Sequence, residues 1–123
     1  MAHLRVGVDL VEVDEVAESL AQFGDKYLDR VFSDAERDVA RDVLADDVAA
    51  RFAAKEAAIK VIGDAEPFDW RSIEVICTTE GKELRLTGRA AESARELGIR
   101  RWSISTSVTD RYAYAVALAA VES

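Results

Sequence analysis

Residues 4–13 are rich in β-branched side chains and predict a strand, with Glu12 near its end and Asp9 in its middle, between Val8 and Leu10. Strand interiors disfavour aspartate. Asp9 is therefore either a turn or capping carboxylate, if the strand stops early, or a ligand carboxylate at the rim of a site. Gly7 marks a bulge or a close backbone approach. From Val13 the period becomes helical: Val13, Val16, Ala17, Leu20 and Phe23 share a face, and Gly24 stops the helix. Its outer face carries Asp14, Glu15, Glu18 and Gln22, the first two placed where the helix dipole favours negative charge. A short helical segment follows over 26–31. Ser33 with Glu36 three residues on forms a capping box for a helix to about Leu44, and Asp46 or Asp47 is the expected cap of the next one.

That next helix, through residues 51–63, is alanine-rich and ends at Gly63. Val48, Phe52, Ile59 and Ile62 fall on one stripe suited to a core. Lys55 projects into the stripe, and Glu56 and Lys60, four apart, line its edge. Charges on or beside a packing face are costly unless something charged meets them. A loop over 64–67 closes on the only proline. Residues 70–78 read as a strand, 80–82 as a hairpin turn and 83–87 as the returning strand. Residues 88–98 read as a helix ended by Gly98, with Ala90, Ala94 and Leu97 spaced for packing. A half-buried strand over 102–108, a turn at 109–111 and a last strand over 112–121 complete the pattern. The fold class is α+β: a mainly antiparallel sheet with helices packed on one side.

Length bounds the architecture: 123 residues make one domain, 1–123. No stretch has the eighteen or more apolar residues of a membrane span, and the N-terminus lacks a signal-peptide pattern. Cys77, alone, forms no internal disulfide and agrees with a cytoplasmic protein; in a hairpin strand it is expected to be a small buried hydrophobe. The formal net charge of −8 opposes nucleic acid, so an anionic ligand needs a local cationic cluster or a metal ion.

The candidate chemistry narrows by elimination. His3 is the only histidine, at the N-terminus, so a Ser-His-Asp or Cys-His device has no base. Thiolate or imidazole zinc sites fail on the count, and no Walker or dinucleotide glycine fingerprint occurs. What remains is Asp9 and Glu56, with the basic Arg51, Lys55 and Lys60 around the latter. Carboxylate oxygens suit Mg²⁺, which takes one or two of them plus phosphate oxygens and water. A lysine one turn along meets remaining phosphate charge as a point cation. That set fits metal-assisted phosphoryl or pyrophosphate chemistry; the plainer reading is an ordinary i,i+4 ion pair between Glu56 and Lys60.

Three segments together resemble the holo-acyl-carrier-protein synthases, the small trimeric 4′-phosphopantetheinyl transferases. Gly7-Val-Asp-Leu-Val-Glu-Val13 looks like that family's opening strand. Arg51-Phe-Ala-Ala-Lys-Glu-Ala57 matches its signature helix, with Lys60 and Gly63 at the expected offsets. Trp70-Arg-Ser-Ile-Glu-Val75, Gly81-Lys82 and the Gly88-Arg-Ala-Ala helix look like the hairpin and helix that follow. The resemblance implies an enzyme that transfers 4′-phosphopantetheine from coenzyme A to a serine of an acyl carrier protein, as in fatty acid or polyketide biosynthesis. It implies Mg²⁺ on Asp9 and Glu56, with Glu56 and Lys60 as catalytic residues. Arg51, Lys55, Gly63, Ser105 and Thr109 are implied at the coenzyme A site, and a homotrimer with sites between subunits.

Two departures from the family pattern are visible. Its Ser-x-Ser-His-Thr segment becomes Ser105-Thr-Ser-Val-Thr109, so Val108 stands where a histidine is usual; a two-residue shift puts Thr106 there instead. The helix after the first strand, usually arginine-bearing toward the acidic carrier, offers Asp14, Glu15 and Glu18, leaving Lys26, Arg30, Arg37 and Arg41 as the basic alternative. Two functions follow. One is an active transferase; the other is a non-catalytic trimeric relative that binds coenzyme A or a protein partner.

Overall fold

The computed structural model describes residues 2–39, 45–63 and 68–122. Strands β1 (Ala2–Glu12), β4 (Ile99–Val108) and β5 (Tyr112–Glu122) form an antiparallel sheet in the order β1-β5-β4. Strands β2 (Ile73–Thr78) and β3 (Gly81–Leu86) form a separate antiparallel hairpin. The helices are α1 (Val13–Phe23), α2 (Asp25–Val31), α3 (Asp34–Val39), α4 (Ala45–Ile62) and α5 (Gly88–Glu96). The class is α+β, as the residue pattern predicts, with the antiparallel pairing divided between two sheets.

Helix α4 is the hub, contacting β1, β5, β4, β2, α1 and α5. The alternation of β5 explains how it lies on the sheet: Ala113, Ala115, Ala117, Ala119 and Val121 are all buried on one face. Small side chains there and on α4 (Ala53, Ala54, Ala57 and Ala58, all fully buried) let helix and sheet approach closely. Gly7 belongs to the same contact. A Cβ built on it would lie 2.1 Å from the Ala57 carbonyl oxygen, and the β1–β5 register runs unbroken through it. Gly7 is thus a close approach and not a bulge.

The single core stripe expected on α4 is corrected by this surrounding. Val48 and Ile62 are buried, but Phe52 and Ile59 are only half-buried, and buried alanines ring the helix. A helix packed on several sides needs no amphipathic stripe. Asp46 and Asp47 lie inside the first turn of α4, where Asp46 Oδ1 accepts the Asp47 N–H at 2.9 Å. The capping box of α3 forms as predicted, with Glu36 N–H donating to Ser33 Oγ and Ser33 N–H to Glu36 Oε1. The expected end of that helix at Leu44, Arg41 and the loop over 64–67 lie outside the described residues.

The segment 70–78 begins as a 3₁₀ turn, Trp70–Ser72, because the Asp69 carboxylate accepts the Arg71 N–H and folds the chain before Ile73. The hairpin turns at 79–80, one residue earlier than expected, with Gly81 paired to Thr78. Cys77 is exposed, not buried, because the pairing leaves the tip of the hairpin in solvent.

Opposite α4, the part of the main sheet formed by β1 and β5 is apolar and has no cover among the described residues. Leu4, Val6, Val8 and Leu10 of β1 are 67, 59, 56 and 53% exposed. They stand across from Ala120, Leu118, Val116 and Tyr114 of β5.

Candidate active site

Odd-numbered positions of β1 face α4, and this turns Asp9 toward the helix. The last turn of α4 brings Lys60 to meet it. Lys60 Nζ donates to Asp9 Oδ1 and to the Val8 carbonyl, each at 2.9 Å. The Asp9 side chain keeps 15% of its exposure and Lys60 54%, so the pair sits at a rim. Glu56 lies one turn before Lys60, and its Oε1 accepts the Trp70 indole N–H at 2.7 Å. The structure thus gathers three of the expected residues, Asp9, Glu56 and Lys60, on one side of α4. Glu56 and Lys60 form no ion pair; Lys60 turns to Asp9 instead.

Lys55, the next residue back along the helix, is fully buried. Its Nζ donates to Glu36 Oε1 at 2.6 Å, the Trp70 carbonyl at 2.9 Å and the Ile73 carbonyl at 2.6 Å. Glu36, also sealed from solvent, accepts the Val75 N–H on its other oxygen at 3.0 Å. Burial pushes the Lys55 pKa down, and the Glu36 carboxylate opposes that shift. All three ammonium protons are used inside the chain, so Lys55 offers a nucleotide no donor. Arg51 is buried beside it, ion-paired to Asp47 Oδ2 at 3.2 Å, and its Nη2 donates to Cys77 Sγ at 3.4 Å.

The other expected residues lie elsewhere. Gly63 ends α4 with φ +67° while its N–H donates to the Ile59 carbonyl. Ser105 lies on the outer face of β4, opposite Val116, and Thr109 holds the β4–β5 turn by donating its N–H to the Tyr112 carbonyl. Strand β5 separates β4 from β1. One chain therefore carries two separate groups, Asp9-Glu56-Lys60 on β1 and α4 and Ser105-Thr109 on β4 and the turn that follows it. Val108, at the end of β4, is 39% exposed.

Two hollows flank these groups. A groove of about 390 Å³ between α1, α2 and α4 is lined by Phe23, Lys26, Tyr27, Arg30, Phe52 and Trp70. A second, of about 350 Å³, runs between the hairpin tip and β4 and includes Lys82, Ser105 and Thr106. The α1 residues Asp14, Glu15 and Glu18 are exposed, whereas Arg37 is drawn into ion pairs with Asp25 and Asp29.

Among the described residues no cluster of three or more His, Cys, Asp or Glu is present. Two carboxylates are enough for Mg²⁺, which usually keeps several waters and binds substrate phosphates. One oxygen of Asp9 takes the Lys60 ammonium and one oxygen of Glu56 the Trp70 indole, leaving the second oxygen of each without a protein partner among the described residues. The donor set fits that ion.

The family model described as the 4′-phosphopantetheinyl transferase superfamily matches residues 5–117. A holo-[acyl-carrier-protein] synthase of Herpetosiphon aurantiacus is 43% identical over 113 residues, spanning 85% of this chain and 88% of its own. The chain belongs to the holo-acyl-carrier-protein synthase family. This is an enzyme family, and the fold agrees. A holo-ACP-synthase from Plasmodium yoelii superposes with a TM-score of 0.87 at 26% identity, covering 100% of this chain and 99% of its own. The ACPS-CoA complex of Chronobacterium ammoniagenes gives 0.82 at 31% identity, covering 98 and 99%.

Sequence reasoning missed Glu36 and Trp70 as partners of the signature helix. Glu36 was legible only as a cap, and an indole in a strand-like segment reads as packing. Arg5 was missed too: its Nε donates to the Val61 carbonyl at 2.8 Å, tying β1 to the end of α4.

Proposed function

We propose that this chain transfers 4′-phosphopantetheine from coenzyme A to a serine of an acyl carrier protein, with Mg²⁺ held by Asp9 and Glu56. The carrying observation is the Asp9–Lys60 contact one turn from Glu56, which unites two carboxylates and a cation at a rim open to solvent. The serine oxygen forms a bond to the pantetheine phosphorus and releases its proton to solvent as the pyrophosphate P–O bond breaks and adenosine 3′,5′-bisphosphate leaves. Mg²⁺ would neutralise pyrophosphate charge there. Lys60 stabilises charge on the transferred phosphate, and electrostatic stabilisation of this kind usually contributes more to catalysis than any other single effect. The nucleotide end lies at the hollow by Ser105, where Lys82 adds a cation.

The apolar outer face of the sheet supports a homotrimer, since a contiguous uncovered patch of this kind marks an interface. Assembly would let Ser105 and Thr109 of one subunit serve the Asp9-Glu56-Lys60 group of another. The carrier docks in the groove of Phe23, Phe52 and Trp70, where Lys26 and Arg30 suit an acidic partner and the acidic face of α1 does not. No helix among the described residues is long and apolar enough to cross a membrane, and the proposed location is the cytoplasm.

Incubation with coenzyme A, Mg²⁺ and a panel of apo carrier proteins should add the phosphopantetheine mass to at least one carrier. Glu56→Gln should abolish that gain while leaving the oligomer intact. Val108, in place of the family histidine, favours the second reading of a non-catalytic relative. No mass gain on any carrier, together with no Mg²⁺-dependent coenzyme A binding, would sink the transferase reading.

A further inference from the structure

Consecutive residues of a helix point about 100° apart, yet Lys55 and Glu56 end on the same residue. The Trp70 carbonyl accepts the Lys55 ammonium at 2.9 Å, and the Trp70 indole N–H donates to Glu56 Oε1 at 2.7 Å. The backbone of Trp70 is fixed from a second side, since the 3₁₀ turn it opens is capped by the Asp69 carboxylate. Its ring is fixed from a third, edge-on to Phe52 with centroids 5.3 Å apart. Indole nitrogen is a donor only, so Glu56 Oε1 is the acceptor in this contact, which holds the carboxyl in one orientation and leaves Oε2 for a ligand.

We propose that Trp70 is a positioning residue for the Glu56 carboxylate, anchored by the buried Lys55–Glu36 pair and setting the affinity of the site for a divalent cation. The proposal rests on the reading of Glu56 as a metal carboxylate. Hydrogen-bond partners of ligating groups fix their orientation, and losing one typically weakens metal binding by about 10–100-fold. Lys55 thereby acquires a role that its burial otherwise hides: it holds the backbone from which the indole reaches Glu56.

The test is Mn²⁺ binding, followed by electron paramagnetic resonance, to the full chain saturated with coenzyme A and without carrier. Trp70→Phe keeps a ring against Phe52 and removes the N–H. It should weaken Mn²⁺ binding about tenfold and raise by a similar factor the Mg²⁺ concentration that half-saturates transfer. Glu56→Gln serves as the reference. Mn²⁺ affinity retained by Trp70→Phe but lost in Glu56→Gln overturns the role of Trp70 alone. Affinity retained by Glu56→Gln overturns the metal assignment and the proposal with it. A second arm uses Trp102→Phe, which leaves Trp70 as the only indole. Mg²⁺ added to its coenzyme A complex should shift Trp70 emission, and an unchanged spectrum overturns the proposal.

Discussion

Lys55 shows how the same side chain reads differently from sequence and from its surroundings. A lysine projecting into an apolar stripe signals a charged partner, and its partner is Glu36, 19 residues earlier, inside the protein. Breaking a buried pair by removing one member leaves an uncompensated charge and costs roughly 3–5 kcal/mol. Lys55→Met should therefore lower stability by about that amount in chemical denaturation, whereas Lys55→Met with Glu36→Gln should recover part of the loss. A double variant as unstable as the single one would place the cost in packing. Asp9 was legible because a carboxylate within an apolar strand contradicts its setting. Trp70 was not, because its indole N–H reaches a residue 14 positions away, and no periodicity carries that information.

At the scale of elements, helix and strand positions were largely legible wherever a change of period met a glycine or a cap. Val13 opens α1, Phe23 ends it and Ser33 caps α3 as the pattern predicts. The misses have local causes. Side-chain capping by Asp69 turned the expected start of a strand into a 3₁₀ turn, and burial on all sides erased the stripe of α4. The contact of β1 with α4 depends on Gly7 having no side chain. Gly7→Ala would push a methyl against the Ala57 carbonyl, with an overpacking cost of about 1–3 kcal/mol. The strain should also separate Asp9 from Lys60. We expect a lower melting temperature and a larger proportional loss of transfer than Val16→Ala, a cavity among Val31, Phe32 and Val48, produces at equal stability. Equal losses in the two variants would remove the link between this approach and the site.

For the molecule as a whole, the uncovered face of the sheet was the feature least visible in the sequence. Leu4, Val6, Val8 and Leu10 alternate with Arg5, Gly7, Asp9 and Val11, so the pattern alone assigns the apolar face to a core, and only the position of α4 on the other face shows that it lacks cover. In the proposed trimer Val6→Asp would bury a carboxylate among apolar neighbours. It should shift the particle mass measured by light scattering toward a single chain and suppress transfer, while circular dichroism keeps its α+β shape. An unchanged particle mass would remove this face from the interface. The uncovered face has a thermodynamic consequence as well. A chain that completes its burial only against copies of itself draws part of its stability from mass action. Its melting temperature should then climb with protein concentration, and dilution alone should begin to unfold it without any denaturant.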